Sequence, residues 1–265
     1  MKTREFFQRK EVFTRDELKQ FLSGHRETNS LKEIIKYHLK HNNIGQVKKG
    51  LFYSVQAGFS PENQPVDPFL VASKSADDAI LGYYTVLDIL GHAHSVYNRY
   101  YFITQKSKNY NRFQFRGNEF VPVQVSKRLV TKGKTNLGVR DYDRKGEMIE
   151  ITTIERTLVD LLDRPRYGGG WEQIWRSFEG VSFLKIEKII EYVESLENAT
   201  TAAKVGYFLE DNQDKISIDN DKLKKLEELK PKQRRYMDRN AGNGKLIQRW
   251  NLIVPEQVLN HEWQE

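Results

Sequence analysis

Apolar residues recur with a helical period in some stretches of this chain and alternate in others. Near the start, Phe6 and Phe7 mark a short helix over roughly residues 4–8. Thr14-Arg-Asp-Glu17 then reads as a capping box, in which the threonine hydroxyl accepts from the N3 amide and the glutamate reaches back to the cap N–H. Phe13 is placed to staple against Leu18, and Leu18, Phe21 and Leu22 form an apolar stripe that stops at Gly24. Ser30-Leu-Lys-Glu33 repeats the capping signal. Behind it Leu31, Ile34, Ile35, His38 and Leu39 recur at helical spacing, which predicts an inward face and leaves Lys32, Lys36, Tyr37 and Lys40 outside. After Asn42-Asn43, two β-prone runs within 46–55 flank Lys49-Gly50 and predict a hairpin with a basic tip.

Residues 59–75 hold Pro61, Pro65 and Pro68 with few apolar side chains before Phe69, and read as a linker. Residues 77–90 fit a helix with Ala79, Ile80, Tyr83, Tyr84, Leu87 and Leu90 inside. Strands follow over 97–104, 113–115, 120–125, 137–142 and 148–151, separated by turn signals such as Arg116-Gly-Asn118 and Arg144-Lys-Gly146. Thr153 caps a helix running to Leu162. Gly168-Gly-Gly170 leads into another that carries Trp171, Ile174, Trp175 and Phe178, and later helices cover 186–196, 202–209 and 221–229. The fold class expected is therefore α+β: an N-terminal winged helix-turn-helix over 1–58, the linker, and a body over 76–265 that is sheet-rich in 76–152 and helical in 153–265.

Charge sharpens this division. Residues 1–58 hold 12 Lys and Arg against 6 Asp and Glu, whereas the rest of the chain holds 31 against 30. A basic N-terminal segment with the order helix, helix, helix, hairpin suits duplex DNA. A helix fits the major groove, its first residues reach base edges, and a cationic wing grips phosphate beside it. Candidate DNA-binding residues are Thr28, Asn29, Ser30, Lys32, Lys36, Tyr37, Lys40, Lys48 and Lys49; the competing reading is a solvated basic face. The cluster Lys127, Arg128, Lys132 and Lys134 and the stretch from Lys224 to Arg239 can be read as further phosphate contacts, as an acidic partner's seat, or as solvated surface.

Other chemistry finds little support. With no Cys, disulfides, thiol nucleophiles and Cys-ligated zinc are excluded. His92-Ala-His94 is the nearest approach to a metal pair, but Gly91 and Ser95 suggest a loop, and no metal site is expected. No phosphate-binding G-x-x-x-x-G-K-[ST] and no G-x-S-x-G elbow occurs. Glu228-Leu-Lys230 has the letters of a nuclease motif but ends a helical stretch before Pro231. Gly168-Gly-Gly170 reads either as an anion cradle on free N–H groups or as a tight turn between helices. No catalytic residue and no cofactor is expected. No run of about 18 apolar residues occurs, so no membrane partner is expected either, and the first residues lack a secretory apolar region, which suggests a cytoplasmic location.

The combination resembles the AbiEi-type antitoxin and transcriptional regulator family of type IV toxin–antitoxin, or abortive infection, systems. The residues that carry the resemblance are Val12-Phe-Thr-Arg-Asp-Glu-Leu18, Lys49-Gly-Leu-Phe-Tyr53, Leu81 to Gly91, Thr153-Ile-Glu-Arg-Thr-Leu-Val-Asp160 with Arg164-Pro165 and Gly168-Gly-Gly170, and Trp250 to Pro255. It implies a winged-helix repressor of its own phage-defence operon, bound at inverted repeats. It also implies a C-terminal domain that neutralises a cognate nucleotidyltransferase-like toxin, directly or indirectly. Glu155, Arg156 and Asp160 are candidates for a functional role in that domain, or else form an internal ion pair. The alternative from another class is a DNA-processing, nuclease-like enzyme targeted by its winged helix.

Overall fold

The computed structural model describes residues 2–24, 30–181, 183–216, 218–240 and 243–263. The chain begins α1 (Lys2–Arg9), β1 (Val12–Thr14), α2 (Arg15–Ser23), α3 (Leu31–Lys40), β2 (Ile44–Lys48) and β3 (Leu51–Ser54). Both capping boxes close. Thr14 Oγ1 accepts from the Glu17 amide at 3.1 Å while Glu17 accepts from the Thr14 amide at 2.7 Å, and the corresponding distances for Ser30 and Glu33 are 3.3 and 3.0 Å. Lys48 faces Leu51 across a two-residue turn in which Gly50 takes φ +85°, a left-handed conformation open to it for want of a Cβ. Strand β1 is too short for any alternation to announce it, and pairs antiparallel with β3 to give the order β1-β3-β2.

This small sheet is buried on both faces. Phe13, Ile44 and Phe52 pack under the three helices with Phe6, Leu18 and Ile34. Val12, Leu51 and Tyr53 turn the other way and join Phe69, Leu70, Phe102 and Ile151 of the body in a second core. Polar contacts tighten the seam: Glu147 takes Lys10 and Lys74 at 2.8 Å each, and the near-buried Asp67 takes Arg144 at 2.8 Å and Lys145 at 3.2 Å.

The body opens with α4 (Pro68–Ser73), β4 (Ile80–Leu81), α5 (Tyr84–Ile89), β5 (Arg99–Thr104), β6 (Phe113–Phe115) and β7 (Asn118–Gln124). It continues with α6 (Lys127–Thr131), β8 (Val139–Arg144) and β9 (Glu147–Thr152). The six strands form one mixed sheet in the order β6-β7-β5-β4-β9-β8. On β5, Tyr100 and Phe102 face the second core while Tyr101 and Ile103 face a third. That third core gathers α7 (Ile154–Asp163), α8 (Trp171–Glu179), α9 (Ile186–Leu196), α10 (Ala199–Asp211) and α11 (Asn220–Glu228). A last three-stranded sheet of β10 (Arg235–Tyr236), β11 (Gly244–Ile247) and β12 (Leu252–Pro255), ordered β10-β12-β11, precedes α12 (Glu256–Leu259). The fold is mixed α/β, with twelve α-helices and three sheets among the described residues.

Three expectations change. The stretch 59–75 is not a linker throughout, because its second half is α4, capped by Asp67 and buried at Phe69, Leu70, Val71 and Ala72. The single helix expected over 77–90 is instead a two-residue strand and the short α5. Ile80 and Leu81 pair with β5, Leu81 also pairs with β9, and a Cβ on Gly82 would come within 2.5 Å of Ile103. The closing sheet was not anticipated, since its strands span two to four residues each.

Candidate nucleic-acid interface

Helix α3 presents two unlike faces. Ile34 and Ile35 are buried in the N-terminal core, and opposite them Lys32, Lys36, Tyr37 and Lys40 are exposed, Tyr37 at 57%. Tyr37 packs against His41 with ring centroids 4.1 Å apart and the rings tilted by 31°. Lys49 is exposed at the hairpin tip, and the Arg15 amide donates to the Gly50 carbonyl at 2.9 Å, fixing that tip against the start of α2. Lys32, Lys36, Lys40 and Lys49 meet no carboxylate among the described residues. Arg15 and Lys19 on α2, which the sequence reading passed over, also lack one. Of these, Arg15, Lys19, Lys32 and Lys49 border a groove of about 1060 Å³ between α2, α3, the hairpin and the body segments 74–77 and 109–113.

Lys48 lines the same groove, but its ammonium is engaged by the body. Lys48 is drawn inward: the register slips between Gln46 and Lys48, and its ammonium donates to the Ser75 carbonyl at 2.9 Å and lies 4.5 Å from the Phe113 ring centroid. Burial pushes its pKa down. Lys48 ties hairpin to body, and reaching a phosphate would break both interactions. Ser30 is exposed but commits its hydroxyl to capping α3, and those hydrogen bonds hold the Glu33 carboxyl below its ordinary range. Thr28 and Asn29 lie outside the described residues.

Glu155, Arg156 and Asp160 are enclosed. Thr153 caps α7 by accepting from the Arg156 amide, and the guanidinium, 1% exposed, donates to the Thr135 and Leu137 carbonyls at 2.7 and 2.8 Å. Asp160 Oδ2 accepts from Arg156 Nε at 3.4 Å, and its Oδ1 accepts from the Tyr192 hydroxyl at 2.7 Å. Burial pushes the Asp160 carboxyl up against the pull of Arg156. Glu155 accepts from the Lys185 amide at 3.2 Å, at the start of α9. The geometry of Arg156 and Asp160 is that of an internal ion pair, and Glu155 supports the start of α9 while bordering a cavity of about 590 Å³ with Arg140 and Lys185. His92 and His94 lie in a loop, and no cluster of three metal-ligating side chains occurs among the described residues. Among them, too, no helix is long and apolar enough to cross a membrane.

The fold and this surface define a mixed α/β protein with a basic, hairpin-bearing N-terminal face. No protein-family model matches the chain, and no curated protein matches it in sequence. Among solved structures it is similar to the RV2827C protein of Mycobacterium tuberculosis, at 14% identity and a TM-score of 0.58. That alignment covers 97% of this chain and 91% of that one, so the likeness is one of fold over nearly the whole length.

Proposed function

We propose that this chain is a DNA-binding transcriptional regulator whose residues 1–58 act as a winged helix. The reading rests chiefly on one observation: Lys32, Lys36 and Lys40 along one face of α3, with Lys49 at the adjoining hairpin tip, are exposed without carboxylate partners among the described residues. A helix N-terminus entering the major groove with a cationic hairpin beside it puts cations at phosphate spacing without neutralising them first. The order α1-β1-α2-α3-β2-β3, with its three-stranded sheet, is consistent with that use. From the resemblance we extend the proposal to an antitoxin that represses its own operon at inverted repeats and counters a nucleotidyltransferase-like toxin through the body.

The test is fluorescence anisotropy on labelled operator duplex across a salt series. Affinity is expected to fall linearly in log–log form, and Lys32→Ala, Lys36→Ala and Lys49→Ala are each expected to flatten the slope by about 1 unit. Lys48→Ala is expected to leave the slope unchanged. A salt-insensitive affinity, or unchanged slopes in the three exposed-lysine variants, overturns the interface. The antitoxin half is tested by growth rescue in cells making the adjacent toxin from an independent promoter. Failure of the full chain to rescue removes that half and leaves the DNA half standing.

A further inference from the structure

A second basic cavity shares no residue with the groove above. It holds about 960 Å³ and is bordered by the loop after α7, the start of α8, helix α10 and residues 234–240. Its cations are Arg164, Arg166, Lys204, Arg234, Arg235 and Arg239, against the carboxylates Asp163 and Asp238. Both carboxylates are already committed. Asp163 accepts from Thr201 at 2.5 Å, Asn198 at 3.1 Å and Arg164 at 3.3 Å, and Asp238 accepts from the Trp171 indole at 3.0 Å and the Asn240 amide at 2.9 Å. Arg166, Lys204, Arg234, Arg235 and Arg239 form no ion pair among the described residues, although Arg166 donates to the Tyr167 hydroxyl at 2.8 Å.

Lys204 is the decisive member. It is 7% exposed, sits in mid-helix on α10, and has its ammonium 5.2 Å from the centroid of the Trp171 ring, with no hydrogen-bond partner among the described residues. Burial pushes its pKa down, while the carboxylates Asp163 and Asp238 pull it the other way. With those two carboxylates set against six cations, the cavity keeps an excess of positive charge that a bound anion would balance. The first turn of α8, which no side chain caps, opens into the same cavity at Gly170 and Trp171. Its free N–H groups and helix dipole favour an anion there.

A second, aromatic cavity of about 360 Å³ adjoins it. Tyr84, Tyr97, Tyr101 and Tyr167 line it together with Arg166, which borders both cavities, Gly169, next in the chain to Gly170, and the Arg99–Glu119 ion pair. A site with unneutralised cations at one end and a tyrosine-walled slot at the other fits a ligand that is polyanionic at one end and flat and aromatic at the other. Its size lies within the range of small-ligand sites. We infer that the cavity between α8 and α10 binds a nucleoside polyphosphate, with the phosphates over Lys204, Arg235 and the start of α8 and the base between Tyr97 and Tyr167. This assignment does not depend on the DNA interface.

The experiment is calorimetric titration of the full chain with ATP and GTP, with inorganic tripolyphosphate and with the bare nucleosides, repeated on Lys204→Met, Arg235→Ala and Tyr97→Ala. At least one triphosphate is expected to bind at least tenfold tighter than tripolyphosphate or its nucleoside. Lys204→Met is expected to weaken it about tenfold or more, as for a lost hydrogen bond to a charged group. Arg235 is exposed, so its variant is expected to fold normally and weaken binding in the same direction. Tyr97→Ala is expected to bring the triphosphate down to the affinity of tripolyphosphate. Absence of binding at millimolar triphosphate overturns the assignment. So does equal affinity of tripolyphosphate and nucleotide, or unaltered binding in both Lys204→Met and Arg235→Ala. Displacement of the nucleotide by duplex, with Arg235→Ala weakening duplex binding equally, assigns the cavity to DNA instead and also overturns it.

Discussion

Lys48 and Lys49 are consecutive, yet one ammonium is sandwiched between the Ser75 carbonyl and Phe113 while the other stands in solvent at the hairpin tip. Nothing in a run of two lysines separates those fates; the slipped register between Gln46 and Lys48 does. The same holds on α7, where Arg156 and Asp160 share a helical spacing open to any surface ion pair but sit almost wholly enclosed. Removing one partner of a buried pair strands the other. Arg156→Met is therefore expected to destabilise the protein by about 3–5 kcal/mol, because it leaves Asp160 and the Thr135 and Leu137 carbonyls unmatched. Urea unfolding of the variant checks this; a loss near that of a solvent-exposed pair would mean that the guanidinium is not held as described.

At the scale of elements, capping boxes and long amphipathic stretches were legible because their partners are local. Both predicted boxes close, and the helix expected over 186–196 matches α9 residue for residue. Elements held by distant partners were not legible. Strands β1, β4 and β10–β12 are two to four residues long and exist because another strand offers its edge. The small N-terminal sheet carries a further consequence. Because Val12, Leu51 and Tyr53 are covered by the body, a fragment of residues 1–58 would expose that whole face to water. The isolated fragment is expected to show weak, non-cooperative thermal unfolding by circular dichroism and to bind DNA more weakly than the full chain. A sharp transition would show that the helical face alone suffices.

Across the whole molecule, the seam through Glu147 and Asp67 and the shared second core join the basic N-terminal part to the body. All four tryptophans, 171, 175, 250 and 263, lie in the C-terminal half, so indole fluorescence reports only that half while circular dichroism reports every helix. The two probes are expected to give coincident denaturant transitions if the seam transmits unfolding. A separate earlier transition by circular dichroism would show an N-terminal part that melts on its own. The phosphate end of the candidate nucleotide site is bordered by α8, α10 and β10, whereas its aromatic slot draws on β5 of the central sheet.

By itself the sequence determined the order of the main helices, most strands of the central sheet and the concentration of positive charge in the first 58 residues, because periodicity, caps and charge are properties of neighbours in the chain. It also brought Lys32, Lys36, Tyr37 and Lys40 to one exposed face, since 3.6 residues per turn fixes which side chains share a side. Tertiary structure decided everything that depends on meeting: that Lys48 turns inward, that Arg156 and Asp160 are enclosed, and that a proline-bearing stretch becomes the buried α4. It alone brought Arg166, Lys204 and Arg235, from three separate segments, around one cavity. Burial and the pairing of charge are set by residues far apart in the chain, and no local pattern encodes which of those will touch.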